Sequence, residues 1–487
     1  MSWAAAVSKE KIILSCEHLS FRYSKNEHPV FSDLSFQVKR GEAVLLMGKS
    51  GGGKSTLAYC LAGLYPEYAG EMEGTIHVHG QELMKLRAAE RAKKVSILFQ
   101  NPDNQFCMDT VEHEVLFTLE NMNYQGDLRK RAHELLCIVG LEQTADQPIY
   151  TLSGGMKQKL ALCTALATEA DMLILDEPFA NLDPKACESL AELLRKMKER
   201  GLTLLVVDHK PQWWLPFMDR IVLMEENGNL DKGSIYPEEL QKKRELFEKR
   251  GLFLDDRWLS AYHAPELGTD SETMVLAEQL TLYHGKKPFL KDLSFQIEKG
   301  SVTALVGTCG SGKTTLLQAM AGIGRKKGRL ELAGRPGLVF QNPRFQFLSL
   351  SVQEEVLTTL RAVHGKKAEE AMLKRKAGEL LEEFGLRQWE KESPYALSQG
   401  QQRRLALLAM LAGDCPLMLL DEPTYAQDER STRFIMDLLM SRVKDGLTVV
   451  MATHDLALAK ACANQILLLQ EGKLTAIPAE EWEGGAL

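Results

Sequence analysis

The chain of 487 residues has no run of apolar residues long enough to cross a membrane. Its longest apolar runs, such as residues 466–469, have the length of a buried strand, whereas a membrane-spanning helix needs about 20 apolar residues. Residues 1–9 also lack the basic start and the apolar core of a secretion signal, so we expect no signal peptide. If the protein serves a membrane process, another chain must cross the membrane.

Excess positive charge and paired cysteines are also lacking. The formal net charge is −7, so there is no overall basic field to hold DNA or RNA, and we expect no nucleic-acid partner. The nine cysteines are scattered and odd in number, without a C-x-x-C pair, so neither a disulfide framework nor a zinc site is indicated. This cysteine usage is typical of reduced thiols inside a cell.

A glycine-rich stretch lies between a predicted strand and a predicted helix. Residues 48–56 read Gly-Lys-Ser-Gly-Gly-Gly-Lys-Ser-Thr, after the apolar run 43–47 and before a helical pattern. Glycines let successive N–H groups point at one spot, and the positive end of the helix reinforces them, so the stretch predicts a phosphate cradle. Lys54 has the spacing to reach the β and γ phosphates, and Ser55 the spacing to ligate Mg²⁺.

The same series of motifs occurs twice along the chain. Each copy has a glycine loop, a Gln-Asn-Pro segment, a Leu-Ser-x-Gly segment, an apolar strand ending in Asp-Glu-Pro and a strand followed by histidine. The later motifs are 245 residues apart in every pair, namely Ser153 and Ser398, Glu177 and Glu422, and His209 and His454. Lys54 and Lys313 are 259 residues apart, so the second copy is shorter between its glycine loop and its glutamine.

The repeat predicts two domains joined by a connector. We place domain 1 at residues 1–235, the connector at 236–272 and domain 2 at 273–487. The first copy should contain antiparallel strands near residues 12–14 and 36–38 and a helical region from 111 to 140. The connector should form a helix from Pro237 to Arg250 and pack against one domain.

Together, these motifs resemble two ATP-binding-cassette (ABC) ATPase domains fused head to tail. The resemblance covers the whole chain and implies an α/β fold of two tandem P-loop NTPase domains, each with a RecA-like core, an antiparallel β subdomain and an α-helical subdomain. Residues 100–105, Gln-Asn-Pro-Asp-Asn-Gln, are echoed by Gln-Asn-Pro-Arg-Phe-Gln at 341–346. This pattern is similar to the glutamine loop in the ATPase subunits of energy-coupling factor (ECF) importers of vitamins and metal ions.

The resemblance implies two composite ATP sites, formed by intramolecular pairing of the two halves. The glycine loop of one half and the Leu-Ser-x-Gly segment of the other would hold each nucleotide. In site one the nucleotide contacts are then expected from Tyr23, Gly48, Ser50, Gly51, Gly52, Gly53, Lys54, Ser55 and Thr56, closed by Ser398 and Gly400. In site two they are expected from Tyr283, Gly307, Gly310, Ser311, Gly312, Lys313, Thr314 and Thr315, closed by Ser153, Gly154 and Gly155.

The same resemblance implies Mg²⁺ as cofactor and hydrolysis of ATP as the reaction. The implied metal ligands are Ser55, Gln100 and Asp176 in the first copy and Thr314, Gln341 and Asp421 in the second. Glu177 and Glu422 would polarise the attacking water, a role typically worth about 10² to 10⁴ in rate. His209 and His454 would sense the γ-phosphate.

Several aromatic or thiol positions have two interpretations each. Tyr23 and Tyr283 lie where the family stacks adenine on a ring, but either could be a half-buried strand tyrosine. Cys309 lies inside the second glycine loop, where N–H dipoles could lower the pKa of its thiol, or it is an indifferent small side chain. Trp213 and Trp214, just after His209, are interpreted as packing residues, with contact to a partner as the alternative.

The second copy departs from the family pattern in two segments. Gln399 replaces a glycine of the Leu-Ser-Gly-Gly segment, and residues 426–428 read Ala-Gln-Asp where residues 181–183 of the first copy read Asn-Leu-Asp. Both segments would close site one, and a bulkier Gln399 could misplace donors that face the γ-phosphate. We predict that site one turns over more slowly than site two. The alternative is a tolerated substitution, with Ser398 and Gly400 sufficient.

The resemblance implies an ATPase that powers a membrane transporter. The expected protein is the energy-coupling subunit of an ECF-type importer, peripheral on the cytoplasmic face of the cell membrane. Its expected partners are a transmembrane subunit and a separate substrate-binding membrane subunit. One alternative is a non-hydrolysing ATP-binding scaffold, which the presence of Glu177 and Glu422 disfavours. The others are the tandem ATPase of a sugar-type ABC importer and a soluble ABC protein of translation. The latter would favour a long basic helical arm between domains, whereas this connector is short and mixed in charge.

Overall fold

A computed structural model describes residues 12–482, apart from 25–27, 67–68, 180–181, 183, 232, 269–270, 309, 366–368 and 425–426. The chain divides into two compact units, Met1–Asp255 and Asp256–Leu487. The division lies inside the segment predicted as the connector, and each unit carries one copy of the motifs.

The first unit is a mixture of strands and helices. Its strands are β1 (Ile12–Tyr23), β2 (Phe31–Lys39), β3 (Ala43–Gly48), β4 (Gly70–Val78), β5 (Gln81–Glu82), β6 (Val95–Leu98), β7 (Met172–Asp176), β8 (Thr203–Val207) and β9 (Arg220–Met224). Its helices are α1 (Lys54–Leu61), α2 (Ala88–Ala92), α3 (Val111–Asn121), α4 (Leu128–Val139), α5 (Gly154–Ala167), α6 (Pro184–Glu199) and α7 (Arg244–Arg250).

The second unit repeats this series. Its strands are β10 (Thr273–His284), β11 (Lys287–Glu298), β12 (Val302–Val306), β13 (Lys326–Leu332), β14 (Pro336–Val339), β15 (Leu417–Asp421), β16 (Thr448–Ala452), β17 (Gln465–Gln470) and β18 (Lys473–Pro478). Its helices are α8 (Lys313–Met320), α9 (Val352–His364), α10 (Glu370–Glu383), α11 (Gln399–Leu411), α12 (Glu429–Lys444) and α13 (Leu456–Cys462).

Each unit contains a parallel sheet and a smaller antiparallel sheet. In the first unit the parallel order is β6-β7-β8-β3-β9 and the antiparallel order is β2-β1-β4-β5. In the second unit they are β14-β15-β16-β12-β17-β18, with β18 antiparallel at the edge, and β11-β10-β13. The predicted α/β fold with an antiparallel β subdomain in each half is thereby confirmed.

The parallel sheet of the first unit is buried on both faces, which explains its uninterrupted apolar runs. Leu173 and Leu175 of β7 point into one core, while Met172 and Ile174 point into a second core on the other face. The first core also holds residues of α3, α4 and α5, and the second holds residues of α1 and of the antiparallel sheet. The glycine loop after β3 and the carboxylates that end β7 therefore lie at one edge of a rigid sheet.

The helical regions begin and end at residues with capping side chains or glycine. The side chain of Thr110 accepts a hydrogen bond from His113 N before α3, and that of Asp127 accepts one from Lys130 N before α4. Helix α4 ends at Gly140, whose φ of 71° lies in the left-handed region that glycine adopts at helix ends. The predicted helical region from 111 to 140 is thus two capped helices.

The connector differs from its prediction in two respects. The predicted helix from Pro237 to Arg250 is interrupted: a 3₁₀ turn at Pro237–Glu239 and turn residues 240–243 precede the short helix α7. The connector also does not pack against one domain. Phe247 lies in the core of the first unit, whereas the Tyr262 hydroxyl donates a hydrogen bond to Asp437 Oδ1 of the second, at 2.8 Å. Each half of the connector therefore belongs to its own unit.

In the described parts of the chain, no helix combines the length and the apolar character that a bilayer span requires.

Candidate nucleotide sites

Both glycine loops have the backbone geometry of a phosphate cradle. Gly53 and Gly312 precede α1 and α8 with φ of 96° and 109°, a region that residues with a Cβ rarely adopt. A Cβ on Gly48 would lie 2.7 Å from Met224 O, and one on Gly307 would lie 2.3 Å from Leu469 O. Glycine is therefore required both for the turn and for the close approach of the neighbouring strand.

The two loop lysines fold back over their own loops. Lys54 Nζ donates hydrogen bonds to Gly48 O and Lys49 O, both at 2.8 Å. Lys313 Nζ donates to Gly307 O at 2.7 Å and to Thr308 O at 3.1 Å. Both side chains are buried, so each positive charge is held at the cradle by its own loop.

The predicted metal-ligating hydroxyls and carboxylates are in direct contact within each unit. Ser55 Oγ donates to Asp176 Oδ1 at 2.9 Å, and Thr314 Oγ1 donates to Asp421 Oδ2 at 2.7 Å. Burial raises the pKa of Asp176 to about 6, helped by the adjacent Glu177, and burial also raises the pKa of Asp421. Each pair offers two hard oxygen donors of the kind that Mg²⁺ prefers.

The residues that fit Mg²⁺ do not form an all-protein cage. Among the described residues there is no group of three or more His, Cys, Asp or Glu side chains placed to hold a metal ion. Mg²⁺ commonly binds through one or two protein oxygens together with substrate phosphates and water. The hydroxyl–carboxylate pairs fit such a site, and they do not fit a dedicated structural metal.

In the first unit the Glu177 carboxylate is held on both oxygens. Gln100 Nε2 donates to Oε2 at 2.6 Å, and His209 Nε2 lies 3.1 Å from Oε1. Burial by itself would raise the pKa of Glu177, but His209 and the other neighbouring donors outweigh it, so this pKa lies below its ordinary value. The predicted water-polarising, metal-linked and γ-phosphate-sensing residues are thus brought together.

In the second unit Glu422 is held less tightly. His454 N donates to Oε2 at 3.4 Å, and His454 Nε2 lies 3.4 Å from Oε1. Burial raises the pKa of Glu422 to about 8; Lys313 opposes this shift and the charge of Asp421 adds to it. Glutamate and histidine at equivalent positions therefore have different electrostatic environments in the two units.

Both glutamates adopt a backbone conformation that is uncommon for residues with a Cβ. The φ angles are 47° at Glu177 and 51° at Glu422. Glu177 N donates to Val207 O at 2.8 Å and Glu422 N donates to Ala452 O at 3.0 Å, which holds each residue against the next strand. Strain of this kind costs of order 1 to 3 kcal/mol and is concentrated at functional sites.

Asp208 is a residue of the first site that the sequence analysis missed. Its Oδ1 accepts from His209 N at 2.6 Å and from Lys210 N at 3.2 Å, and its Oδ2 accepts from the indole of the buried Trp214 at 2.8 Å. Burial raises the pKa of Asp208 to about 6. The second copy has Thr453 there, so the available signal was the substitution before the histidine.

Trp214 is a packing residue, as predicted. It is fully buried, and its ring centroid lies 4.4 Å from that of Phe179. Its hydrogen bond to Asp208 adds a role in holding the loop that carries His209.

The Leu-Ser-x-Gly segments form the starts of α5 and α11. Ser153 Oγ caps α5 by accepting from Met156 N at 3.3 Å, and Ser398 Oγ caps α11 by accepting from Gln401 N at 3.4 Å. In α11 the Gln401 side chain also accepts from Ser398 N at 2.9 Å, which completes a capping box. Closure of each ATP site by the segment of the other half stays a prediction.

The two predicted adenine-stacking tyrosines have different surroundings. The Tyr23 hydroxyl lies 2.9 Å from Thr56 Oγ1 of the first glycine loop, and its ring packs edge-on against Phe21. The guanidinium of Arg325 lies 4.9 Å from the Tyr283 ring centroid. Stacking on adenine stays a prediction for both. The predictions for Asn181, Asp183, Cys309 and Ala426 fall outside the described residues.

Comparison with known proteins places these sites in a family. The family described as "ABC transporter" matches the chain twice, over residues 31–180 and 290–425. The ATP-binding protein YkoD of Bacillus subtilis, named for the import of HMP and thiamine, is 35% identical over 94% of this chain and 90% of its own length. An ABC transporter ATP-binding protein of Methanosarcina acetivorans is 32% identical over 94% of this chain and 84% of its own length.

Solved structures share the fold at lower sequence identity. The RNase-L inhibitor aligns with a TM-score of 0.61 at 22% identity, over 93% of this chain and 87% of that one. The archaeal ribosome recycling factor aABCE1, in complex with the stalk protein aP1, aligns with a TM-score of 0.62, also at 22% identity, over the same shares of the two chains. These two likenesses show that the tandem fold is shared.

Proposed function

The chain belongs to the ABC transporter family of ATPases and carries two fused ATP-binding domains, and from this premise we propose that it is the ATP-hydrolysing, energy-coupling subunit of an ECF-type importer. The observation that carries the ATPase assignment is the hydroxyl–carboxylate pair beside each loop lysine, Ser55 with Asp176 and Thr314 with Asp421.

The residues of each unit have separate roles in phosphoryl transfer to water. Lys54 and Lys313 offset charge on the β and γ phosphates. Ser55 and Asp176, and Thr314 and Asp421 in the second unit, would hold Mg²⁺, which neutralises charge on the phosphates when it is bound.

Glu177 and Glu422 orient the attacking water and accept its proton, and His209 and His454 contact the γ-phosphate from the next strand. Gln100 and Gln341 extend each site toward the helical region of its own unit. The contact between Gln100 and Glu177, at 2.6 Å, supports a link between the glutamine loop and the water-polarising group.

Each ATP is shared between the halves. Ser398 and Gly400 complete site one, and Ser153, Gly154 and Gly155 complete site two. The helix starts at α5 and α11 support this assignment, because the first N–H groups of a helix form a natural binding site for phosphate oxygens. Substituting Ser153 by Asp keeps a capping oxygen for α5 but places a negative charge toward the γ-phosphate. This variant should impair hydrolysis in a Glu177→Gln protein, which depends on site two.

An exposed apolar surface supports a protein partner. Phe345 lies in the second glutamine loop and Leu348 and Leu350 follow it, with exposed fractions of 78%, 83% and 92% respectively. Apolar side chains gathered on one exposed loop are typical of interaction sites. We assign this surface to the transmembrane subunit, so that the nucleotide state at Gln341 is passed to the membrane.

ECF importers carry either vitamins or metal ions, and we assign a vitamin as the cargo here. YkoD, at 35% identity, is named for HMP and thiamine import, which supports a vitamin cargo. A separate membrane subunit selects this cargo. The ATPase works on the cytoplasmic face of the membrane, where ATP is available.

Purification in mild detergent tests the proposal. We expect the full chain to retain a transmembrane subunit and a small substrate-binding membrane subunit, and ATP hydrolysis to rise when both are reconstituted with their vitamin. A Glu177→Gln, Glu422→Gln double variant should retain the partners and lose hydrolysis. Association with ribosomes and no membrane protein would contradict the proposal and favour a role in translation. A periplasmic sugar-binding partner would favour a sugar-type importer.

A further inference from the structure

A buried arginine joins two parts of the second site. Arg403 lies in the first turns of α11 with 2% of its surface exposed. Its Nη1 donates to the backbone oxygen of Glu422, and its Nη2 donates to the backbone oxygen of Gln341 at 2.8 Å. One rigid guanidinium thus contacts the water-polarising residue and the glutamine loop, which are far apart in the sequence.

The described residues of the first unit do not show this link. Gln158 occupies the corresponding position of α5, 245 residues earlier, and is 1% exposed. Its side-chain nitrogen has no hydrogen-bond partner among the described residues. There the glutamine loop reaches the site through a side chain instead, since Gln100 Nε2 donates directly to the Glu177 carboxylate.

We propose that Arg403 is a positioning residue for hydrolysis in the second unit: its guanidinium fixes the backbone of Glu422 relative to that of Gln341, so that both side chains face the γ-phosphate at a set separation. This inference rests on the ATPase function proposed above. Hydrogen bonds from a charged donor are roughly twice as strong as neutral ones, and the planar fork of arginine suits two acceptors at once.

The backbone at Glu422 has a particular need for such support. Its φ of 51° is maintained only if the surrounding contacts hold it. The Glu422 carboxylate itself has weaker side-chain contacts than Glu177, with His454 Nε2 at 3.4 Å against His209 Nε2 at 3.1 Å. Support through the backbone therefore replaces support through the side chain.

The first unit also shows that the fold tolerates glutamine at this position, so Arg403→Gln should fold. We would place it in a Glu177→Gln background, where steady-state hydrolysis reports site two. We expect kcat to fall about 10- to 100-fold, because small misplacements of reacting groups are costly, while KM for ATP stays within about twofold. Arg403→Lys, with one ammonium for two carbonyls, should recover part of the loss.

The matched control is Gln158→Met in a Glu422→Gln background, which should leave hydrolysis at site one unchanged. Equal effects of the two substitutions would overturn the proposal, because Arg403 would then act only as helix packing. A rise in KM without a fall in kcat would also overturn it.

A second measurement does not depend on turnover. Hydrogen–deuterium exchange of the full Arg403→Gln chain should rise in two peptides together, one spanning residues 338–346 and the other residues 417–424, with no rise in the matching peptides of the first unit. Unchanged exchange in both would refute the positioning role. If the wild-type chain hydrolyses no ATP, the proposed function fails; if only the Glu177→Gln parent is inactive, exchange alone decides the role of Arg403.

Discussion

The two copies share one nucleotide cradle and differ in how they hold the glutamate beside it. Lysine, hydroxyl and carboxylate have nearly the same contacts in both, with hydroxyl–carboxylate distances of 2.9 and 2.7 Å. Around the glutamate the copies diverge: Gln100 and His209 bind the Glu177 side chain, whereas Arg403 binds the Glu422 backbone. Phosphate binding therefore fixes a geometry that both copies must keep, while activation of water can be supported in more than one way.

The divergence changes the charge states of the two glutamates. The pKa of Glu177 lies below its ordinary value, so this side chain is ionised at pH 7, whereas burial raises the pKa of Glu422 to about 8 and leaves it mostly neutral. Identical motifs thus have unlike electrostatics, because each pKa depends on groups outside the motif.

The largest expected effect comes from removing one glutamate at a time. Glu177→Gln and Glu422→Gln should each lower hydrolysis at their own site by about 10² to 10⁴. Since Gln399 and the residues around Gln427 would close site one, site two should carry most of the turnover, and Glu422→Gln should therefore remove the larger share. The measurement is steady-state phosphate release well above pH 8, where both glutamates are ionised. A larger loss in Glu177→Gln would reverse the predicted order of the sites.

A smaller gain is expected from restoring the glycine of the second Leu-Ser-x-Gly segment. Gln399 is the first residue of α11 and is exposed, so its side chain is free to change without disturbing a core. In a Glu422→Gln background, Gln399→Gly should raise hydrolysis at site one several-fold, up to about tenfold, because the backbone can approach the γ-phosphate more closely. The matched control is Gly154→Gln in a Glu177→Gln background, which should slow site two. No change in either variant would show that the segment tolerates both residues.

The sequence predicted the parts of the site that depend on local geometry. Glycines, a lysine and a hydroxyl at fixed spacing specify the cradle, and apolar runs ending in Asp-Glu identify strands whose ends share one sheet edge. The contact between Ser55 and Asp176, 121 residues apart in the chain, follows from that arrangement.

The contacts that the sequence did not predict join side chains from different elements. The bond between Trp214 and Asp208 depends on how one loop turns, and Arg403 contacts two backbone oxygens that no spacing rule connects. Both contacts could have been suspected from differences between the copies, because Thr453 stands at the position equivalent to Asp208 and Gln158 at the position equivalent to Arg403. The interruption of the connector helix could not have been suspected from the sequence, because residues 240–243 keep a helical pattern of polarity.

The acid before His209 should make the stability of the first unit depend on pH. Burial raises the pKa of Asp208 to about 6 in the folded state, against 3.8 for the ordinary carboxyl. Its contribution to stability is therefore fully present below about pH 4 and is lost as pH rises through 6. Asp208→Asn puts an NH₂ group in place of one acceptor oxygen, so it loses a hydrogen bond from the Trp214 indole or from the backbone N–H groups, a cost that does not depend on pH. Relative to the wild type, its stability should still rise by up to about 3 kcal/mol between pH 4 and pH 7, because the neutral amide carries no buried charge.

Calorimetric unfolding of both proteins between pH 4 and 8 measures this difference directly. Thr453→Val in the second unit serves as the control, since it removes a hydrogen-bond acceptor of Asp455 N without removing a buried charge. Its stability difference from the wild type should not change with pH. A difference between Asp208→Asn and the wild type that is flat from pH 4 to 8 would contradict the raised pKa.

The smallest expected effect concerns a contact that both copies make with different side chains. Lys157 Nζ donates to Asp103 Oδ1 at 2.7 Å in the first unit, while Arg344 Nε donates to Gln402 Oε1 at 3.2 Å in the second. The donor lies on the helix in one copy and on the glutamine loop in the other. If stability requires a contact between loop and helix but not a particular donor, the first copy should tolerate arginine at position 103 together with glutamine at position 157.

A double-mutant cycle makes that comparison quantitative. Asp103→Arg alone places two like charges together and should lower the free energy of unfolding by about 1 kcal/mol, and adding Lys157→Gln should recover most of it. Denaturant unfolding of the four proteins gives the coupling energy, with Lys157→Gln alone expected to cost less than Asp103→Arg. Additive effects would mean that the loop and the helix do not interact through these side chains. A favourable coupling between Asp103→Arg and Lys157→Gln would instead show that the glutamine loop can stay attached to the helix when donor and acceptor exchange places.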